Sequence, residues 1–398
     1  MFIEEKLKTQ IKDSYDVAVC GGGVAGIAAA LAAARCGKKV VLFERTFMLG
    51  GLATAGIVTI YLPICDGFGR QISFGLAEEL FKLSIADGAE ALYPENWLDG
   101  IGTCTEKDKR FEVRFNAQLF AIRAEKILVE NGVDIKYGTT VVSVIVDEDK
   151  IKNLIIENKS GRLAYGVCSV VDATGDADIA YLAGAPTKNF NEGNTLAAWY
   201  YHISDLGYRL NQLGVWDLPE DEKVEQGKPK LLMNRRFTGL DGDEISENII
   251  LSHDYMYRDF LKKRVNDSSI FPVTIPTIPQ LRMTRRIVGE SELSFEETHK
   301  RFDTSIGMVS SWKKRGPVYE VPFETLYSKK IKNLLCAGRC TSTTEEMWDI
   351  MRVIPCCAVT GQAAGVAASL SNDMTSLDIC KLQTHLKLQG VVLHEEDL

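Results

Sequence analysis

The chain has 398 residues and a mass of 44.1 kDa. At roughly 100–200 residues per domain this predicts two or three domains, and 45% apolar with 25% charged residues excludes a disordered, collagen-like or coiled-coil chain. A net charge of −8 and a pI near 5.4 disfavour nucleic acid and anionic membrane as partners, because phosphate needs a basic face. The opening segment MFIEEKLKTQIKDS holds no apolar core of the signal-peptide kind. The apolar stretch that begins at Val24 is closed by Arg35, well short of the roughly 18 residues a membrane span needs. The expected compartment is therefore cytoplasmic, where the ten cysteines stay reduced.

Residues 15–19 (YDVAV) read as a short strand, followed at once by Gly21, Gly22 and Gly23. An alanine-rich helix runs from Val24 to Cys36, with Gly37 just past its end, where a left-handed residue closes the last turn. Val40–Glu44 (VVLFE) is a second strand. Strand, turn, helix and strand within about 30 residues form a βαβ unit, which predicts a parallel sheet covered by helices. Apolar spacings of three and four give helices over 74–83 and 117–131. From 133 to 170 the period becomes two, and polar turns at Asp147–Lys150 and Asn158–Gly161 divide the segment into hairpins. Residues 196–324 are richer in aromatic and charged side chains, gather Pro272, Pro276 and Pro279, and hold a helix near 251–265. From Ile331 the first pattern returns: KNLLCAGR is a strand ending in a glycine turn, and 355–370 is a small-residue helix with Pro355 suited to its first turn. The predicted fold class is α/β, a doubly wound, Rossmann-like parallel sheet built from residues 1–195 and 325–398, with a mixed α/β domain, 196–324, inserted.

The turn Gly21-Gly22-Gly23-Val24-Ala25-Gly26 fits G-x-G-x-x-G between a strand and a helix. Gly21 permits the tight turn, Gly23 lets the backbone approach a pyrophosphate, and Gly26 lets the helix pack closely on the strand. The helix N-terminus presents N–H groups and a partial positive charge to the phosphates. Glu44, 18 residues past Gly26 and at the end of the second strand, is placed to accept hydrogen bonds from ribose hydroxyls. These features specify a dinucleotide without saying which.

More motifs follow in order: Arg45, then Leu49-Gly50-Gly51-Leu52-Ala53-Thr54, then Asp172-Ala173-Thr174-Gly175-Asp176-Ala177-Asp178, then Ala337-Gly338-Arg339 and Gly361-Gln362-Ala363-Ala364-Gly365. Together they resemble a bacterial family of FAD-dependent oxidoreductases in the glutathione-reductase-like flavoprotein superfamily, over residues 14–190 and 331–370. The resemblance implies FAD as the cofactor. It puts Gly23, Val24 and Ala25 on the pyrophosphate and Glu44 on the adenosine ribose. It runs Arg45, Gly51, Leu52, Ala53 and Thr54 past the ribityl chain towards the isoalloxazine. It gives Val142 a backbone contact to adenine, closes the pocket with Ala173, Thr174 and Gly175, and sets Gly338 and Arg339 beside the pyrophosphate and ribityl chain. The helix opening at Pro355 and Cys356 would aim its positive end at the flavin N1/C2 carbonyl, a role with its own basis, since reduced flavin carries negative charge there. On the residues alone, the 172–178 run is a strand end before a capped helix, and the 355–370 helix is close packing on the sheet. Only one G-x-G-x-x-G follows a strand and there is no C-x-x-C pair. Electrons are therefore expected to pass to the substrate or to a separate donor or acceptor, not to a dedicated nicotinamide domain. A plain NAD dehydrogenase would leave the later motifs unexplained.

The substrate end is marked less clearly. In LRMTRR, read as a strand, Arg282 and Arg286 share one face and Arg285 takes the other. An inward arginine can bind a carboxylate bidentately or stabilise developing negative charge. The plainer reading is a surface cluster paired with Glu290 or Glu292. Arg282 and Arg285 stand as catalytic candidates with His202, an acid/base histidine alongside His253 and His299, and with Tyr61. Tyr61, Cys65, Asp66 and Arg70 follow closely on the GGLAT run. For each of these the plainer reading is an ordinary core or loop residue. Trp199, Tyr200 and Tyr201 are candidate pocket walls, and Met347, Trp348 and Arg352 precede the last small-residue helix. Cys336, Cys340, Cys356 and Cys357 match no iron–sulfur spacing, and no metal is expected. The expected reaction is hydride transfer between flavin N5 and a small polar organic substrate. The alternatives are a flavoprotein reductase of an activated C=C bond, and a non-redox nucleotide-binding protein of the same fold; a thiazole-synthase-like protein using the fold around a different nucleotide is a further option.

Overall fold

The computed structural model describes residues 3–86, 113–215 and 231–398. Strands β1 (Gln10–Cys20) and β2 (Val40–Phe43) flank helix α1 (Val24–Arg35). The apolar ends of both strands are buried, as a parallel sheet covered on both faces requires. Every residue of α1 from Val24 to Ala33 is also buried, because alanine is small enough to touch the sheet on one side and another helix on the other. Gly37, at φ +75°, closes α1: its N–H reaches Ala34 O and the next N–H, from Lys38, reaches Ala33 O.

The chain continues through β3 (Ile60–Tyr61), α2 (Leu76–Ile85), β4 (Val113–Arg114), α3 (Ala117–Glu130), β5 (Asp134–Lys136), β6 (Thr140–Asp147), β7 (Lys150–Asn158) and β8 (Gly161–Asp172). Both polar turns expected in this stretch are the hairpin turns of β6–β7–β8. The middle of the chain holds α4 (Asp178–Leu182), β9 (Thr187–Asn189), β10 (Ala198–Ser204), β11 (Gly207–Leu213), α5 (Gly242–Asn266), β12 (Phe271–Thr274), β13 (Arg285–Ile287), β14 (Ser305–Ser310) and β15 (Val318–Pro322). It ends with β16 (Leu334–Cys336), α6 (Glu345–Met351), α7 (Ile354–Leu370) and α8 (Ile379–Leu388). The helix expected near 251–265 begins earlier, at Gly242, where the Asp241 carboxylate accepts from Glu244 N at 2.9 Å and acidic residues fill the first turn.

The main sheet runs β5-β2-β1-β8-β7-β6, and β16 joins the C-terminal half of β8. Strands β5, β2, β1, β8 and β16 pair in parallel, while β7 and β6 form an antiparallel extension on the N-terminal half of β8. The fold is α/β, with a Rossmann-like parallel sheet assembled from both ends of the chain. Helix α7 lies directly on α1. A Cβ at Gly361 would stand 2.2 Å from Ala25 O, and one at Gly365 would stand 2.1 Å from Ala29 O. The two backbones therefore meet along matched i, i+4 rows of small residues, so α7 packs chiefly on α1 and also touches β1, β8 and β16 of the sheet. The β14–β15 hairpin shares this core through Ile306, Val309, Tyr319 and Val321. A separate antiparallel sheet, β11-β10-β12, is backed by α5 through Ala198, Tyr200 and Met256. Among the described residues, no single helix is long and apolar enough to cross a membrane.

Candidate active site

The carboxyl ends of β1, β2, β8 and β16 open on one cavity of ≈ 590 Å³, the place where an open parallel sheet offers converging loops to a ligand. The glycine turn builds its floor. Gly21 stands at φ +100°, and a Cβ there would lie 2.5 Å from Ala173 O. A Cβ on Gly26 would lie 1.8 Å from Gly21 O, so Gly26 is a packing glycine and does not itself line the cavity. Gly23 differs from both: a Cβ there would meet nothing within 4 Å, because it points into the open cavity. Gly23 is also the N-cap of α1 and supplies no side-chain cap, so the first N–H groups of the helix face the cavity beside Val24 and Ala25.

The buried carboxylate of Glu44 ties this turn to β2. Its Oε2 accepts from Gly22 N at 2.7 Å, and its Oε1 accepts from Thr46 N at 2.7 Å and Thr46 Oγ1 at 2.8 Å. Glu44, Arg45, Gly51, Leu52 and Ala53 all line the cavity. Thr54 does not: its hydroxyl donates to Leu49 O at 2.5 Å and fixes the loop. On the opposite rim Thr139, Thr140 and Val141 line the cavity. Val142 is passed over, since the register jumps from Val141↔Ile156 to Ser143↔Ile155 and leaves it as the extra residue of a bulge.

The 172–178 run does two jobs. Asp172 is buried and accepts from Thr174 Oγ1 at 2.6 Å and from Ile179 N and Ala180 N at 2.9 Å each, so it caps the short helix α4. Burial pushes its carboxyl above the usual range despite these bonds. Ala173, Thr174 and Gly175 meanwhile line the cavity. Gly175, at φ +81°, passes so close to Arg339 that a Cβ would lie 2.3 Å from Nη2. Gly338 and Arg339 complete this wall. Arg339 donates to Arg282 O at 2.9 Å and to Asp176 Oδ1 at 3.3 Å, which joins the sheet end to the middle of the chain.

A second helix end faces the same space. The N-cap of α7, Val353, gives no side-chain cap, and Ile354 and Cys357 line the cavity. The expected Pro355 and Cys356 are turned off the lining by the helical rotation between those two positions. Burial pushes the Cys357 thiol up to about 12, so it meets the cavity as a neutral S–H.

The middle of the chain closes the far end. Thr277 N donates to Ala55 O at 2.8 Å. The Gln280 amide spans the gap, donating to Gly56 O at 2.7 Å and accepting from Trp199 N at 2.9 Å. These bonds hold Thr277, Ile278, Pro279 and Leu281 against the cavity, a wall whose only sequence signal was the proline cluster. They also deliver Arg282. Its N–H donates to Asn194 Oδ1 at 2.9 Å, its Nη1 donates to Gln280 O at 2.9 Å, and its guanidinium lies 4.9 Å from the centre of the Trp199 ring. Arg282 lines a small recess of ≈ 50 Å³ that shares Leu52, Ala53, Arg339, Arg352 and Ile354 with the large cavity. Arg352, a candidate in the sequence because it precedes α7, is part of the recess because the α6–α7 corner brings it round. Asp349 holds Arg352 at 2.7 Å and Lys313 at 2.8 Å. Burial alone would raise the Asp349 carboxyl, but these two cations outweigh it and hold the group well below the usual range.

The other three catalytic candidates are not brought together with Arg282, and none lines either cavity. Arg285 donates to Asp176 O at 3.0 Å and to Asp178 Oδ1 at 2.7 Å, with Tyr181 stacked below it. Tyr61 is buried between Phe81 and Phe115 and donates to Ala77 O at 2.6 Å. His202 sits within the β10–β11 pairing against Asn211 at 2.5 Å, and burial, with Lys263 and Arg209 nearby, lowers its pKa. Arg286 pairs with Glu292, but it is buried against the Trp348 ring, and Arg282 and Arg285 are buried as well, so the cluster is not the surface one that the plainer reading expects. His299 pairs with Glu395 at 2.7 Å on the surface. The nine cysteines among the described residues are free thiols, and no group of three metal-ligating side chains occurs among those residues.

A family model described as FAD dependent oxidoreductase matches residues 16–198 and 207–386. The chain belongs to the FAD-dependent oxidoreductase family. Its cofactor is FAD, and the residues fit that group: two uncapped helix ends, a glycine with no obstruction in front of it and a carboxylate at the second strand all face one cavity. An L-aspartate oxidase of Mycobacterium tuberculosis is 25% identical over 229 residues, 50% of this chain and 42% of that protein. A thiamine thiazole synthase of Desulfosudis oleivorans is 28% identical over 181 residues, 44% of this chain and 60% of that one. The chain thus spans less than two thirds of the length of these relatives. A geranylgeranyl bacteriochlorophyll reductase-like protein of Thermoplasma acidophilum matches at 13% identity and a TM-score of 0.43, over 94% of this chain and 83% of that one.

Proposed function

We propose that this FAD-dependent oxidoreductase transfers hydride between flavin N5 and a small polar organic substrate. We assign residues 1–195 and 325–398 to the FAD domain and 196–324 to the substrate cap, with the β14–β15 hairpin of that stretch packed into the core of the FAD domain; residues 1–2, 87–112 and 216–230 lie outside the described ones. The supporting observation is the arginine-lined recess that shares five lining residues with the nucleotide cavity, at the end closed by the cap. FAD, when bound, supplies the two-electron chemistry. Gly23, Val24 and Ala25 would hold its pyrophosphate through backbone N–H groups, and Glu44 its ribose hydroxyls. Leu52, Ala53, Ile354 and Cys357 would flank its ring end. The Thr277–Leu281 wall keeps water from that end, and Arg282 orients the substrate. Arg285, His202 and Tyr61 act as framework. We assign the chain to the glutathione-reductase-like superfamily, the cytoplasm and a separate electron donor or acceptor, with neither nucleic acid nor membrane as partner.

The test is an anaerobic screen of the yellow protein with sugars, hydroxy acids, amines and enoates. One class should bleach the oxidised flavin band or restore it from the reduced state. A protein with stoichiometric FAD whose spectrum no class changes would contradict hydride transfer and favour the non-redox reading.

A further inference from the structure

Ile57 is a β-branched residue at φ +47°, in the left-handed region that such side chains avoid. It closes a tight loop. Gly56 N donates to Gly51 O at 3.1 Å, Ile57 N to Thr54 O at 2.9 Å and Val58 N to Leu52 O at 2.9 Å. The first half of this loop lines the large cavity with Gly50, Gly51, Leu52 and Ala53, and Gly50 N is tied to the phosphate turn through Gly22 O at 2.8 Å. Strain of the kind seen at Ile57 persists only where the surroundings hold it in place.

The groups that hold the second half come from the middle of the chain. Ala55 O accepts from Thr277 N at 2.8 Å, and Gly56 O accepts from Gln280 Nε2 at 2.7 Å. The Ile57 side chain is buried with Ala197, Trp199 and Tyr201, and Thr59 Oγ1 bonds the Tyr201 hydroxyl. Gln280 works in two directions. It is buried, and its Oε1 accepts from Trp199 N at 2.9 Å, beyond the stretch of β10 that pairs with β12. Gly56 O needs a donor and Trp199 N an acceptor, so the two partners fix which way the amide points. Gly56 and Trp199 are themselves buried, where an unpaired backbone group is costly.

We infer that Gln280 is a positioning residue for the flavin reaction: it joins the cap to the Gly51–Val58 loop, holds that loop closed against the strain at Ile57, and so keeps Leu52 and Ala53 against the ring end of FAD. The inference rests on the reading of the large cavity as the FAD site and goes beyond it, since Gln280 does not itself line the cavity. With the tie cut, the loop relaxes to an unstrained backbone, the ring end of the cavity opens, and FAD leaves faster.

The experiment measures FAD release from the holoenzyme by the rise of flavin fluorescence on dilution, with the melting temperature of each apoprotein alongside. Gln280→Leu leaves Gly56 O and Trp199 N unpaired and should release FAD about tenfold faster than the wild type. Gln280→Glu at pH 5 is the conservative rescue. Burial favours its neutral carboxyl, which can donate to Gly56 O and accept from Trp199 N, so release should return to within about threefold of the wild type at that pH. Ile57 separates strain from packing. Glycine adopts the left-handed conformation freely and alanine does not. Ile57→Ala should therefore release FAD faster than Ile57→Gly, the reverse of the order that lost side-chain volume alone gives.

Gln280→Leu releasing FAD at the wild-type rate, Gln280→Glu at pH 5 releasing it as fast as Gln280→Leu, or Ile57→Gly releasing it faster than Ile57→Ala would each overturn the proposal. If Gln280→Leu does not fold, the Ile57 pair decides. A protein that takes up no FAD is recognised before any release is measured and counts against the cofactor reading. The apoprotein melting temperatures of the Ile57 pair then read the same order, with Ile57→Gly at or above Ile57→Ala expected and the opposite order overturning the strained hinge.

Discussion

Gly23→Ala separates the need for space in front of the phosphate turn from the need to fold. Gly23 has φ −68°, a value any residue adopts, and a Cβ there meets nothing within 4 Å. The apoprotein should therefore keep its stability to within about 0.5 kcal/mol, or gain up to about 1 kcal/mol from a less flexible unfolded chain. The added methyl projects into the cavity at the uncapped end of α1, where it holds the pyrophosphate off the backbone N–H groups. Losing one hydrogen bond to a charged partner costs about 1.5–3 kcal/mol, roughly a ten- to hundredfold loss of FAD affinity. Gly26→Ala is the contrast. Its Cβ would lie 1.8 Å from Gly21 O, so α1 must shift and the cost of overpacking is about 1–3 kcal/mol or more. Apoprotein melting temperature and FAD titration by flavin fluorescence check both variants. Gly23→Ala should melt with the wild type and bind FAD weakly, and Gly26→Ala should lose both properties. Wild-type FAD affinity in Gly23→Ala would refute the assignment of that space to the pyrophosphate.

Asp172→Asn replaces an acceptor oxygen with a donor facing backbone N–H groups, so it should cost about 1–3 kcal/mol and lower the melting temperature by several degrees with or without FAD; an unchanged melting curve would contradict the capping role. Burial, reinforced by Asp176 and Asp172, raises Asp178 to about 6, so the folded protein holds this proton more tightly than the unfolded chain does. The contribution of Asp178 to stability therefore falls as pH rises from about 4 to 6. In urea unfolding, Asp178→Asn should gain stability relative to the wild type between pH 4.5 and 7, and a relative loss over that range would reverse the sign of the argument. Tyr61→Phe removes the bond to Ala77 O and should cost about 1 kcal/mol by urea midpoint while leaving flavin content intact; loss of flavin would return Tyr61 to the site.

What was legible in the sequence was what local chemistry specifies. The 147–150 and 158–161 turns, the Gly37 stop and the Gly21–Gly26 turn are written in consecutive residues, and the structure builds each of them there. The start of α5 was missed although its Asp241 cap is also local, because the polar first turn broke the apolar period. Side-chain direction was less legible. Pro355 and Cys356 were read as the cavity end of α7, yet Ile354 and Cys357 line it, a matter of rotation about the helix axis. Val142 fell one residue from the lining because a bulge shifts the register of β6. The recess could not be read at all: Arg282, Arg339 and Arg352 meet only once β16, the α6–α7 corner and the Gln280 bridge are in place. LRMTRR is a strand only from Arg285 on, so alternation does not reach Arg282; its bonds to Asn194 and Gln280 place Arg282, and the bonds of Arg285 to Asp176 and Asp178 take Arg285 out of the pocket.

The central claim is that the cavity at the sheet ends holds FAD, and cofactor content tests it directly. The purified protein should be yellow, with flavin absorption bands, and denaturation should release about one FAD per chain. A colourless protein that takes up no FAD on reconstitution would contradict the account.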